Sequence, residues 1–279
     1  MKRNFEVWGW GARVLAHSLS GLVVLAAFLG LWALAAYEWL WIPESSVFLL
    51  TLSLVWAIGQ VLAAAAALAG SVAGAVQVAS EDARALSFAV LVRLGRKRFA
   101  ETLVWLVAAS AIGLALAEFF GWVNQRSIEL ASFLTFHFEA PVGHLMIDRW
   151  ITAVECLIWV AIVGSLLGFL TVLFRSGWQQ ARRQIGKVLL AGCFGIPFWT
   201  GFLSVVVFGG SAYVLANWRP TVAAGFWDYS QLALRVTLVL ILLAAGWLFW
   251  LLCLARLNSP TVVASYLPEH QQSATAHER

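Results

Sequence analysis

Six long apolar runs dominate the chain, at residues 18–40, 47–73, 99–122, 150–174, 187–214 and 230–255. Each can cross a hydrocarbon core of roughly 30 Å as a helix, which takes about 20 residues. A helix satisfies every backbone N–H and C=O within its own segment, so the pattern predicts six spanning helices joined by short polar connections. The expected fold class is all-α: a polytopic membrane protein, with one six-span domain over 1–260 and a polar tail over 261–279. The first run, from Ser18 to Leu40, exceeds the 7–15 apolar residues of a signal-peptide core, and about 17 residues precede it. An uncleaved first span is therefore expected. Composition agrees, since 62% of the 279 residues are hydrophobic and 11% charged, where a soluble domain carries roughly 25% charged residues. Six spans with their loops leave no room for a separate domain of about 100 residues.

The polar positions orient the bundle. Lys2, Arg3, Arg13, Arg84, Arg93, Arg96, Lys97, Arg98, Arg175, Arg182, Arg183, Lys187, Arg256 and Arg279 fall on one side if the N-terminus is cytoplasmic, and Arg126, Arg149, Arg219 and Arg235 fall on or near the other. Cations concentrate in cytoplasmic loops, so N-in, C-in in a bacterial inner membrane is expected. The outer side is acidic, with Glu38, Glu44, Glu129, Glu139, Asp148 and Asp228. Trp39, Trp41, Trp122, Trp150, Trp218 and Trp227 mark the outer ends and Trp8, Trp10 and Trp178 the inner ones, as expected of indoles at headgroup level. A pI near 9.3 then reflects topology, and no nucleic-acid partner is expected.

Two basic connections carry more pattern. Ser80-Glu81-Asp82 reads as a helix cap followed by Leu86, Val90, Leu91 and Leu94 set against Arg84, Arg93, Arg96, Lys97 and Arg98, an amphipathic helix facing lipid or a partner. Trp178, Arg182, Arg183, Ile185 and Lys187 form a shorter version. Before the two connections stand Gly70-Ser71-Val72-Ala73-Gly74 and Gly164-Ser165-Leu166-Leu167-Gly168. The recurrence suggests a parallel repeat, with the first and sixth spans outside it. GxxxG lets helices approach closely, so Gly70, Gly74, Gly164 and Gly168 are packing candidates and the second span is expected to be central or a dimer contact.

Ionisable residues inside spans are costly, which makes them functional candidates. Glu155 and Arg235 lie at similar depth in the fourth and sixth spans and could form a buried pair joined by Glu118. The alternatives are a structural pair, a substrate or ion site, and snorkelling to the interface. Glu101 reads as a helix ion pair with Lys97 or Arg98. In the outer connection from Asn124 to Asp148, His137 and His144 are weak metal candidates, because no constrained ligand spacing fixes them. No cofactor is expected: no histidine lies mid-membrane to ligate haem, and no GxxxxGK[ST], GxSxG or GxGxxG motif occurs. Cys156, Cys193 and Cys253 fall in apolar runs without CxxC spacing and read as packing residues.

The basic run Arg93-Leu94-Gly95-Arg96-Lys97-Arg98-Phe99, leading straight into a span, resembles bacterial accessory proteins of the glycerophosphodiesterase membrane-domain type. The resemblance is architectural and covers most of the chain. It implies repeated amphipathic-helix-plus-span units and carries over no catalytic residue. The expected function is a non-enzymatic scaffold or accessory subunit, binding membrane lipids and either a membrane-protein partner or a second copy. The first alternative is a permease resembling the six-span subunits of ABC exporters, with a polar site at Glu155 and Arg235; that resemblance implies an interfacial N-terminal helix, here over Asn4 to Arg13. The second is an intramembrane lipid-modifying enzyme using Glu118, Glu155 or His144.

Overall fold

A computed structural model describes residues 2–43, 45–81, 85–138, 141, 143–218 and 226–258, and no strand occurs among them. The helices are α1 (Lys2–His17), α2 (Leu19–Trp39), α3 (Val47–Glu81), α4 (Phe88–Gln125), α5 (Ser127–Phe138), α6 (His144–Phe194), α7 (Ile196–Ser204), α8 (Gly210–Asn217) and α9 (Phe226–Leu257), with a π-helical turn Val205–Gly209 joining α7 to α8. Six helical stretches are long and apolar enough to cross a membrane: Leu19–Trp39, Val47–Glu81, Phe88–Gln125, His144–Phe194, Ile196–Asn217 and Trp227–Leu257. The protein is a multi-pass membrane protein.

Local chemistry sets the breaks. Between α1 and α2, the fully buried Ser18 donates its hydroxyl to the Val14 carbonyl at 2.7 Å and accepts the Leu86 N–H at 2.9 Å, tying this corner to the turn before α4. Within α6, Gly177 has φ 76° and ψ 173°, a region open essentially to glycine alone, so the chain reverses there. The stretch after Gly177 packs back on the stretch before it: a methyl group on Gly168 would lie 3.3 Å from Val188 Cγ1, and one on Gly192 would collide with Ser165. At Gly195 the backbone is extended, and Pro197, which lacks an N–H, sits in the first turn of α7.

The core lies along α9. From Ala244 to Ala255 this helix is buried almost without interruption, with Leu248, Leu251, Leu252 and Leu254 inaccessible. It packs on α1, α2, α3, α6, α7 and α8. Lipid tails are as apolar as leucine, so what holds such a centre is close van der Waals contact, which small residues permit. Two close approaches recur. A methyl group on Gly70 would stand 2.6 Å from the Leu91 carbonyl oxygen, and one on Gly95 3.0 Å from that of Ala66, so α3 and α4 cross backbone to backbone. The Gly164–Gly168 segment meets Val188 and Gly192 in the same manner. Both pentapeptides thus face the helix that follows them.

Several expectations need correction. The sixth span, not the second, is the centre: α3 is buried only from Ala69 toward its end, apart from Ser53 and Ala65. Ser80 caps no new helix; α3 runs on through Glu81, and the Ser80 hydroxyl donates to the Gln77 carbonyl at 2.9 Å. The basic segment from Arg93 to Arg98 is no separate amphipathic helix but the start of α4, continuous with the third span. The fifth run, expected unbroken over 187–214, is interrupted at Gly195, and its first part belongs to the helix that begins after Gly177. α1 is not simply interfacial, because Val7 and Val14 are buried and Gly11 packs on Cys253 and Phe249 of α9. Arg84 and the tail over 261–279 lie outside the described residues.

Candidate functional site

The three intramembrane charges are not brought together. Glu155, half-buried on α6, accepts the Trp159 indole N–H at 3.4 Å, one turn along its own helix. Arg235, on α9, donates to the Trp218 carbonyl at the end of α8. Glu118 is exposed on α4. Among the described residues the ion pairs are Arg98 with Glu101 at 2.8 Å and Arg126 with Glu129 at 3.0 Å, both i,i+3. The first is the helix pair expected of Glu101. Similar depth along two helices leaves their rotation about the helix axes open, and rotation decides whether side chains meet.

The polar architecture lies elsewhere, where the interrupted fifth span clasps α9. Thr200, fully buried, donates to the Ile196 carbonyl at 2.9 Å and accepts the Trp8 indole N–H at 3.0 Å, fixing α1 to α7. Ser204 donates across to the Gly246 carbonyl at 2.7 Å, and Ser165 donates to the Ala161 carbonyl at 2.8 Å. Between them lies Trp250, 6% exposed, with its indole N–H buried and without a hydrogen-bond partner among the described residues. The indole presses on Gly201, where a methyl group would collide with the ring, and lies 3.2 Å from a methyl group placed on Gly164. Irregular backbone at Gly195, Pro197 and the π-helical turn gathers around it. Inside a membrane such backbone persists only where protein covers it or a cavity receives it. The sequence signal is the Gly195-Ile196-Pro197 triplet, hidden by the apolar run around it.

At the end of the bundle where the cations collect, arginines close helix termini. Arg98 donates to the Phe174 carbonyl at 3.1 Å and lies over the Phe174 ring at 5.5 Å. Arg175 donates to the Asn258 carbonyl, and the Asn258 amide donates to Thr171 Oγ1 at 2.7 Å. Arg256 lies 5.1 Å over the Trp10 ring and reaches the Ala79 carbonyl at 3.5 Å. Cations at helix C-termini meet the negative end of the macrodipole and otherwise unpaired carbonyls. By contrast Arg93, Arg96, Lys97, Arg182, Arg183 and Lys187 are exposed.

Toward the opposite end, α4, α5 and α6 enclose an open cleft of about 780 Å³ walled by Phe119, Phe120, Phe138, Met146, Trp150 and Ile158, with no ionisable side chain in its lining. His137 stacks on Phe133 with ring centroids 6.0 Å apart, and His144 is exposed at the start of α6. Among the described residues no three His, Cys, Asp or Glu side chains gather as metal ligands would. Tryptophans stitch α2 to α3: Trp56 donates to the Ala35 carbonyl at 2.9 Å and Trp39 to Ser53 Oγ at 2.8 Å. With these features in place, comparison with known proteins adds no relative: no family model, no curated protein and no solved structure matches the chain.

Proposed function

We propose that this protein is a non-enzymatic accessory subunit or scaffold of a membrane assembly, and that the cleft between α4, α5 and α6 seats an apolar helix of its partner. The cleft carries the reading. It is concave, aromatic-walled and about 780 Å³ in volume, within the roughly 300–1,000 Å³ of ligand pockets, yet it lacks the few fixed polar groups by which such pockets orient small polar molecules. Shape and dispersion are what it offers, and a membrane-embedded helix is recognised by these. The orientation that goes with this reading puts the arginine-closed end and both termini in the cytoplasm of a bacterial inner membrane, supported by the gathering of Arg98, Arg175 and Arg256 at one end.

A photo-crosslinking residue at Ile151, which lines the cleft, is expected to capture one membrane protein or a second copy of the chain. The same residue at Val61, exposed on α3 away from the cleft, is expected to give lipid adducts. Lipid adducts at both positions would overturn the reading. Cysteine labelling from each side of the membrane, with Arg93→Cys and Trp122→Cys, tests the orientation.

A permease is the second reading, and the interrupted fifth span favours it. Discontinuous helices lie at the binding sites of many transporters, and here the interruption lies beside the hydroxyls of Thr200 and Ser204. A solute that raises the unfolding temperature of the purified protein, with the effect lost in Thr200→Val, would establish it. A screen in which no solute has a Thr200-dependent effect counts against it.

A further inference from the structure

A second groove, of about 670 Å³, runs between α2, α3 and α4. Its floor is small: Ala63, Ala67, Gly70 and Gly95 present little or no side chain, so the crossing of α3 and α4 leaves a channel beside it where larger residues would close the gap. From Ala63 to Ser71 it follows α3 for about 12 Å at 1.5 Å per residue. Only one lining residue is ionisable, Arg96.

The arginines of this region divide in two. Arg98 is engaged with Glu101 and with the Phe174 carbonyl, as Arg175 and Arg256 are engaged with theirs. Arg96, two residues before Arg98, is exposed and has no hydrogen bond or ion pair among the described residues. A guanidinium presents five donors in a planar fork that matches a phosphate better than a single carbonyl. An apolar channel bordered by one unengaged guanidinium, in a helix bundle that spans a membrane, is complementary in both shape and charge to a molecule with a hydrocarbon tail and an anionic phosphate.

We propose that this groove is a binding site for one anionic phospholipid of the surrounding bilayer, with an acyl chain on Ala63, Ala67 and Gly70 and the phosphate on Arg96. The site does not depend on what fills the α4–α5–α6 cleft. It differs from general attraction of a basic surface to anionic lipid, which acts over a Debye length and selects no residue. Lys97, exposed beside Arg96 but outside the lining, provides the comparison.

The test is native mass spectrometry of the full chain released from mild detergent, titrated with phosphatidylglycerol or phosphatidylcholine. The expected result is one phosphatidylglycerol retained in preference to phosphatidylcholine, an apparent affinity about tenfold weaker in Arg96→Gln, and a change under about twofold in Lys97→Gln. Ala67→Phe fills the channel while leaving Arg96 intact and should weaken binding as much. Circular dichroism of each variant confirms that the helices are retained, and Ala67→Val serves where Ala67→Phe does not fold. Equal retention of the two lipids, equal losses in Arg96→Gln and Lys97→Gln, or unchanged binding in the filled channel would each overturn the proposal.

Discussion

The hydroxyl of Ser18 and the backbone N–H of Leu86, 68 residues apart in sequence, meet at 2.9 Å in a fully buried position. The bond joins the α1–α2 corner to the connection between α3 and α4, and the same hydroxyl also donates to the Val14 carbonyl. Leu86 N–H precedes α4 and has no helical partner of its own, so the side chain of Ser18 is what satisfies it. Ser18→Ala leaves that donor buried and unpaired, which costs about 1–3 kcal/mol. Unfolding in detergent, followed by circular dichroism, should show that loss. Ser20→Ala, at an exposed position of α2, should leave the midpoint unchanged.

The α3–α4 crossing makes a sharper prediction about glycines on one helix. Gly70 and Gly59 both lie on α3, but a methyl group on Gly70 would stand 2.6 Å from the Leu91 carbonyl oxygen, whereas one on Gly59 would meet nothing within 4 Å. Gly70→Ala should destabilise by roughly 1–3 kcal/mol as the helices are forced apart. Gly59→Ala should be neutral or stabilise by up to about 1 kcal/mol, through helix propensity alone. Thermal midpoints of the two purified variants check the sign in each case.

What could be read from the chain, and what could not, follows from these particulars. The spans are legible because an apolar run of about 20 residues is the length a bilayer demands, and few soluble helices are apolar for so long. The central place of α9 is not, because a helix apolar all round shows no face in its periodicity. Ser80-Glu81-Asp82 has the composition of a cap, yet a serine also bonds back to a carbonyl within a continuing helix, and Ser80 does so with Gln77. Gly195 and Pro197 are helix breakers by type, but the apolar run continues on both sides of them and conceals the break. The pentapeptides are legible as packing segments, whereas the contrast between the engaged Arg98 and Arg96, which has no hydrogen bond or ion pair among the described residues, is not, since both belong to one basic cluster.

Glu155 and Arg235 offer a test of depth against rotation. Each has a partner other than the other: Trp159 for Glu155, and the Trp218 carbonyl for Arg235. A double-mutant cycle of Glu155→Gln and Arg235→Gln should therefore give a coupling below about 0.5 kcal/mol, the range for independent sites. Losing one partner of a directly paired buried couple would instead cost about 3–5 kcal/mol. Unfolding midpoints of the two single variants and the double variant provide the measurement. Arg235→Gln alone should still lower stability modestly, because the Trp218 carbonyl loses a charged donor.

The reversal at Gly177 ties backbone conformation to the packing of the second helix pair. Its φ of 76° and ψ of 173° lie where a Cβ is strained by about 1–3 kcal/mol, although the space around Gly177 is open, with nothing within 4 Å of an added methyl group. Strain and crowding are thus separated at this residue, and Gly177→Ala should destabilise through backbone conformation alone. Relief is available by straightening the chain into one uninterrupted helix, but that would draw Val188 and Gly192 away from Gly168 and Ser165 and leave the latter pair exposed. The expected result is a lowered unfolding midpoint together with faster proteolysis near Arg182 and Arg183, which are exposed just after the reversal. Gly186→Ala, also in open space but within regular helix, should show neither effect. Asn tolerates positive φ chiefly in the left-handed helical region, where ψ is roughly +30 to +60°, far from the ψ of this residue. Gly177→Asn should therefore lose about as much as Gly177→Ala. Recovery of wild-type stability in Gly177→Asn would show that the chain turns through the left-handed helical region instead, and that the extended ψ is not what sets the reversal.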